Sequence, residues 1–127
     1  MISEVLIPKL HERFSERGLC ITKPPACAVF PAIHPAVGDI EIFDDGDELT
    51  VVAGNFTHSH FSNYDDKLSE EEKAERIADD VVKFLEEMFA DQIVMWGSHL
   101  GCGGWHRRGR KSFWQKVIRQ YVWSGPL

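Results

Sequence analysis

A two-layer α+β fold is predicted, with an antiparallel sheet of about five strands packed against an amphipathic helix at about residues 70–90 and a second helix at the N-terminus. Three features of the sequence carry this expectation. From Glu70 to Ala90, the apolar residues Ala74, Ile77, Ala78, Val81, Val82, Leu85, Met88 and Phe89 recur at helical spacing and make one broad face. The turn-forming cluster Asp44-Asp45-Gly46-Asp47 separates two β-branched and apolar runs, as in a hairpin. Helices do not alternate one-for-one with strands, and strands joined by tight turns are antiparallel.

The N-terminal helix spans about Ser3 to Arg17, where Leu6, Leu10 and Phe14 form a narrow apolar stripe and Gly18 supplies the stop. Pro8 lacks the N–H that an interior helical residue donates, which favours a start nearer Ile7. Between Leu19 and Ala36, Pro24, Pro25, Pro31 and Pro35 exclude a helix and confine any strand, such as Ala26 to Phe30, to a short or edge position. Asp39 to Phe43 and Glu48 to His60 read as the two strands of the hairpin, with Gly54 marking a bulge or a close backbone approach in the second. Ser69 and Glu72 make a capping box for the central helix, and Glu70 and Glu71 sit in its positive first turn. Gln92 to Trp96 reads as a buried strand, Gly97 to Gly104 as a glycine-rich loop and Trp105 onward as a further strand or short element. Gln120 to Trp123 makes a last strand, stopped by Ser124-Gly125-Pro126.

With 127 residues, 43% hydrophobic and 27% charged, the chain matches one domain over 1–127 with an ordinary core, too small for a multidomain enzyme. No apolar run approaches the ~20 residues of a membrane helix, and Met1 to Lys9 lacks the regions of a signal peptide, so a cytoplasmic protein without membrane association is expected. Cys20, Cys27 and Cys102 show no C-x-x-C spacing and read as free thiols. The net charge of −6 is unevenly spread: residues 39–91 hold 17 acids against four bases, and residues 92–127 hold six bases and no acid. Such segments either pair in the fold or present faces of opposite sign.

Among short motifs, His58 and His60 would point to one face of a strand together with Phe56, offering half of a divalent-metal site. A third ligand would have to come from Asp65, Asp66, His99 or His106, and no spacing requires it. Cys102, between His99 and His106, is the candidate reactive thiol, since neighbouring cations lower a thiol pKa. No third group orients it for catalysis. The glycines around it fit neither a dinucleotide fingerprint nor a P-loop, and the Asp44–Glu48 acids lack the length and flanking helices of an EF-hand. The segment 105–119 interleaves aromatics with bases and could stack on single-stranded nucleic acid, but the acidity of the whole chain opposes that.

No nucleophile, base and oxyanion set can be assembled, so a non-catalytic interaction protein is the leading expectation. Its acidic surface, comprising Glu70, Glu71, Glu75, Asp79, Asp80, Glu86 and Glu87 with the 44–48 turn, would bind a basic protein partner. In size and charge the chain resembles bacterial immunity proteins and type III secretion chaperones, and its element order is similar to that of the chaperones; no sequence motif carries the likeness. A metal-binding protein centred on His58 and His60, with no other cofactor, is the alternative, and a homodimer stays open.

Overall fold

In the computed structural model, which describes residues 1–23, 26–97, 103–109 and 119–127, the first helix, α1, runs over Ile2–Phe14. It begins earlier than Pro8 implied. The backbone N–H of Ser3 donates to Asp44 Oδ2 at 2.8 Å, placing a carboxylate at the positive end of the helix. Pro8 lies inside the helix on its exposed side, where water can take up the carbonyl that its missing N–H leaves free. Ile2, Leu6, Leu10 and Phe14 are buried along one stripe, and after a 3-10 turn at Ser15–Arg17 the helix stops at Gly18, whose φ of 73° is left-handed.

Five strands follow in one antiparallel sheet of order β1-β2-β3-β4-β5: β1 (Cys20–Ile21), β2 (Ala26–Phe30), β3 (Ile40–Asp44), β4 (Glu48–Ala53) and β5 (Thr57–Ser62). The turn between β3 and β4 closes with Asp45 N–H donating to the Glu48 carbonyl at 2.9 Å. The single strand expected from Glu48 to His60 is instead two strands of a second hairpin. The chain reverses at Gly54, whose φ is 59° and whose N–H donates to the Asp39 carbonyl at 3.0 Å; Asn55 N–H donates to the Val37 carbonyl at 2.8 Å. A Cβ at position 54 would run into that Val37 carbonyl, so the close approach foreseen at Gly54 is real but ends the strand rather than bulging it. Alternation then sorts the faces: Ile40, Ile42, Leu49, Val51 and Ala53 are buried beneath the helices, while Glu41, Thr50, His58 and His60 stand on the opposite side.

The second helix, α2 (Glu70–Phe89), carries the capping box: Glu72 N–H donates to Ser69 Oγ at 3.1 Å, and Ser69 N–H donates back to the Glu72 carboxylate. Ile77, Ala78, Val81, Val82, Leu85 and Met88 are buried, and Ala74 and Phe89 pack half-buried at the margins. Phe84, which the helical pattern did not include, is buried as well, against Phe61 and Trp105. The broad apolar face is covered from two sides, because α2 packs along α1 as well as against β4 and β5. Phe14, Phe30 and Phe89 meet edge to face, with centroids 5.2 to 5.9 Å apart, where α1, β2 and α2 converge.

The C-terminal strands do not extend the first sheet. β6 (Ile93–Gly97), β7 (Gly103–Arg107), β8 (Gln120–Val122) and β9 (Gly125–Pro126) form a second antiparallel sheet of order β7-β6-β8-β9. Its Ile93, Met95 and the following Trp123 enter the same buried cluster as the helices and the first sheet. The two sheets abut at Phe56: its ring stacks on Tyr121 at 4.6 Å, and its carbonyl lies so close to Gly103 that no side chain fits there. Most of the glycine-rich loop predicted between Gly97 and Gly104 lies outside the described residues. Among those described, no helix is long and apolar enough to cross a membrane.

Candidate functional site

The acids of α2 divide by what they face. Toward α1, Lys9 Nζ lies 2.9 Å from Glu75 and 3.0 Å from Asp79, and Arg13 bonds Glu86. Hydrogen bonds to Glu75 first and Asp79 second hold the Lys9 ammonium above the usual lysine range. Toward β7, Arg107 forks onto Glu87 through Nε at 2.7 Å and Nη2 at 3.2 Å, and this hydrogen bonding holds the Glu87 carboxyl below the usual range. Four of the seven expected partner-binding acids, Glu75, Asp79, Glu86 and Glu87, therefore spend charge inside the molecule. Of these pairs, Arg107 with Glu87 joins the basic 92–127 segment to the acidic 39–91 segment, whereas Lys9 and Arg13 come from α1. Glu70 meets Lys73 one turn along at 3.6 Å, and Glu71 and Asp80 are exposed.

At the other end of α2, its first turn comes together with the start of α1 and the β3–β4 turn around an open groove of about 730 Å³. Ile2, Val5 and Ala74 supply apolar lining, Gly46 forms a lip, and the carboxylates are Glu4, Glu70, Glu71, Glu72 and Glu75. A hollow of about 170 Å³ continues it, since Ile2, Gly46, Glu70 and Ala74 line both, and adds Asp47, Asn63 and Tyr64. Met1 and Tyr64 leave 66% and 73% of their surface exposed beside these carboxylates, so the surface is apolar as well as negative. Glu4 escaped the reading of the sequence. It lies 66 positions before Glu70, and only the packing of α1 against α2 joins them.

His58 and His60 do share a face, with ring centroids 5.0 Å apart, and both are exposed. Phe56 is not with them: it precedes β5 and turns to Tyr121. The donors that gather about His60 are Asp45 and Glu48, their ligand atoms all within 4.8 Å of one another, and among the described residues no other group of three or more such donors comes that close. Asp65, Asp66 and His106 are thus not brought to the histidine pair as a three-donor group. Cys102 and His99 lie outside the described residues. In the basic segment, Arg107 is taken by Glu87, Arg108 Nη1 donates to the Asp91 carbonyl at 3.3 Å, and Arg119 lies over the Tyr121 ring, while 110–118 is outside the described residues.

Compared with family models, with characterised proteins and with solved structures, this chain finds no match.

Proposed function

We propose that the chain is a small non-catalytic interaction protein that binds a basic protein partner, in the manner of immunity proteins or secretion chaperones, and that the groove between the starts of α1 and α2 is where it does so. The observation that carries this reading is the composition of that groove: an apolar lining of Ile2, Val5 and Ala74 ringed by five glutamates, of which Glu75 is paired with Lys9, Glu70 lies near Lys73 and Glu4 lies near the Met1 ammonium, so that they outnumber the cations beside them. A segment presenting lysine or arginine beside an apolar residue matches both features. Charge steers the encounter and apolar burial slows departure. Of the remaining α2 acids, Asp79, Glu86 and Glu87 are already paired with Lys9, Arg13 and Arg107, and exposed Asp80 adds to the field rather than to the contact.

The test is affinity capture from native lysate with the wild-type chain and with the triple reversal Glu4→Lys, Glu70→Lys, Glu71→Lys, followed by kinetics on the purified partner. The expected partner is basic, is released at high salt, and associates with the triple variant at least about tenfold more slowly. A partner whose affinity ignores both salt and the reversals overturns the reading, as does capture of none.

A further inference from the structure

We propose that Asp45, Glu48 and His60 form a binding site for a first-row divalent cation, with zinc as its representative, on the outer side of the five-stranded sheet. The juxtaposition is produced by three separate backbone segments. Thr50 pairs directly with His60 across β4 and β5, and Glu48, two residues before Thr50, lies on the same face and diagonal to His60. Asp45 comes from the turn, whose closing bond joins it to Glu48 through the backbone.

The distances suit coordination. His60 Nδ1 lies 3.2 Å from Glu48 Oε1. Tetrahedral zinc with bonds of about 2.1 Å holds its ligands about 3.4 Å apart, so this pair already stands at ligand spacing. The third donor is aimed by a neighbour: Thr50 Oγ1 donates to Asp45 Oδ2 at 2.6 Å while lying 3.0 Å from His60 Nδ1. An outer hydroxyl that fixes a ligating carboxylate is the usual support of such a site.

Charge and donor type narrow the ligand. Two carboxylates meet here, and among the described residues the ion pair of Glu48 is with His60 alone, so a bound dication would find negative charge that no lysine or arginine offsets. One imidazole with two carboxylates favours a borderline cation over calcium, which takes oxygen ligands. Three protein ligands leave a fourth position for water or for a group from a partner. His58, although its ring touches that of His60, is not needed in the set.

The experiment is calorimetric titration of the full chain with zinc and with calcium, together with visible absorption of the cobalt(II) form, for the wild type and for His60→Ala, Glu48→Gln, Asp45→Asn and His58→Ala. The expected result is one zinc per chain, tetrahedral cobalt bands, and an affinity lowered at least about tenfold by each of the first three substitutions but little by His58→Ala. Thermal melts of the metal-free variants, expected to match the wild type because these side chains are at the surface, separate lost ligation from lost folding. No stoichiometric zinc, equal binding by His60→Ala, or a preference for calcium overturns the site. A loss with His58→Ala as large as with His60→Ala moves it to the histidine pair and overturns the assignment made here. None of these outcomes bears on the groove.

Discussion

Asp91 and Ser124 are joined by two hydrogen bonds: Ser124 N–H donates to Asp91 Oδ1 at 3.1 Å and Ser124 Oγ donates to Asp91 Oδ2 at 2.6 Å. Asp91 also ends α2. Its φ of 58° is left-handed, and the bonds from Asp91 N–H to the Met88 carbonyl and from Gln92 N–H to the Glu87 carbonyl are those of a Schellman motif, where glycine is usual. A single aspartate thus caps the helix and anchors the β8–β9 turn to it.

Replacing Ser124 by alanine removes the hydroxyl bond to Asp91 Oδ2 and leaves the backbone bond to Oδ1, and about 1 kcal/mol of stability is expected to go with it in urea unfolding. Asp91→Ala keeps the left-handed backbone without the carboxylate and is expected to cost more than Asp91→Asn, which tolerates that conformation. Equal melts for the two would mean that the backbone conformation is not what selects aspartate.

At Gly54, alanine is expected to destabilise by about 2 kcal/mol or more, since both the positive φ and the Val37 carbonyl oppose a Cβ. The same substitution at Gly46, whose φ of 96° is also positive but which has open space around it, is the control and should cost less. Chemical denaturation of the two variants ranks them.

Val81 is fully buried in the face that α2 turns inward. Val81→Asp strands a charge there and is expected to lower stability by several kcal/mol, enough to abolish a cooperative thermal transition. An unchanged melt would refute the packing of α2.

For Glu87 and Arg107, a double-mutant cycle in urea is expected to give about 0.2 to 1 kcal/mol at neutral pH, the range of solvent-accessible pairs. Glu87 is held below the usual carboxylate range by the hydrogen bond from Arg107. A group whose folded pKa is lowered contributes in full above its unfolded pKa and loses that contribution as pH falls through the folded value. The stability gap between the wild type and Glu87→Gln should therefore close as the pH is lowered below the carboxylate range, and a gap that widened would contradict the pairing.

Cysteine accessibility gives a further check. Burial first, and the Asp44 carboxylate second, push the Cys27 thiol up to about 11, whereas Cys20 is exposed on β1. In Cys102→Ser, thiol titration should find one fast-reacting cysteine in the native protein and two after unfolding. Two fast thiols in the native state would argue against the burial of β2.

The elements legible in the sequence are those whose causes lie within a few residues of one another. The Ser69–Glu72 capping box, the apolar period of α2, the stop at Gly18 and the Asp44–Asp47 turn all depend on contacts one turn or less apart along the chain. They were therefore readable, and with them the α+β class. The early start of α1 was not, because what holds it is the Asp44 carboxylate, 41 positions away from Ser3. The break at Gly54 likewise depends on the Val37 carbonyl and on the Asp39 acceptor, which come near only once β3 and β4 are paired.

The candidate sites follow the same division. Composition alone located the acids and the two histidines; which of them act together was decided by tertiary structure. The pairing of Thr50 with His60 brings Glu48 and Asp45 to an imidazole that the H-x-H spacing had assigned to His58. The packing of α1 on α2 neutralises Glu75, Asp79 and Glu86 while adding Glu4 to the groove, and β7 does the same for Glu87. Residue type sets what a side chain can bind, and this much the sequence determined. Convergence at a few ångströms depends on strand register and helix packing between distant segments, where a shift of one residue turns every side chain to the other face, so only the folded structure could decide it.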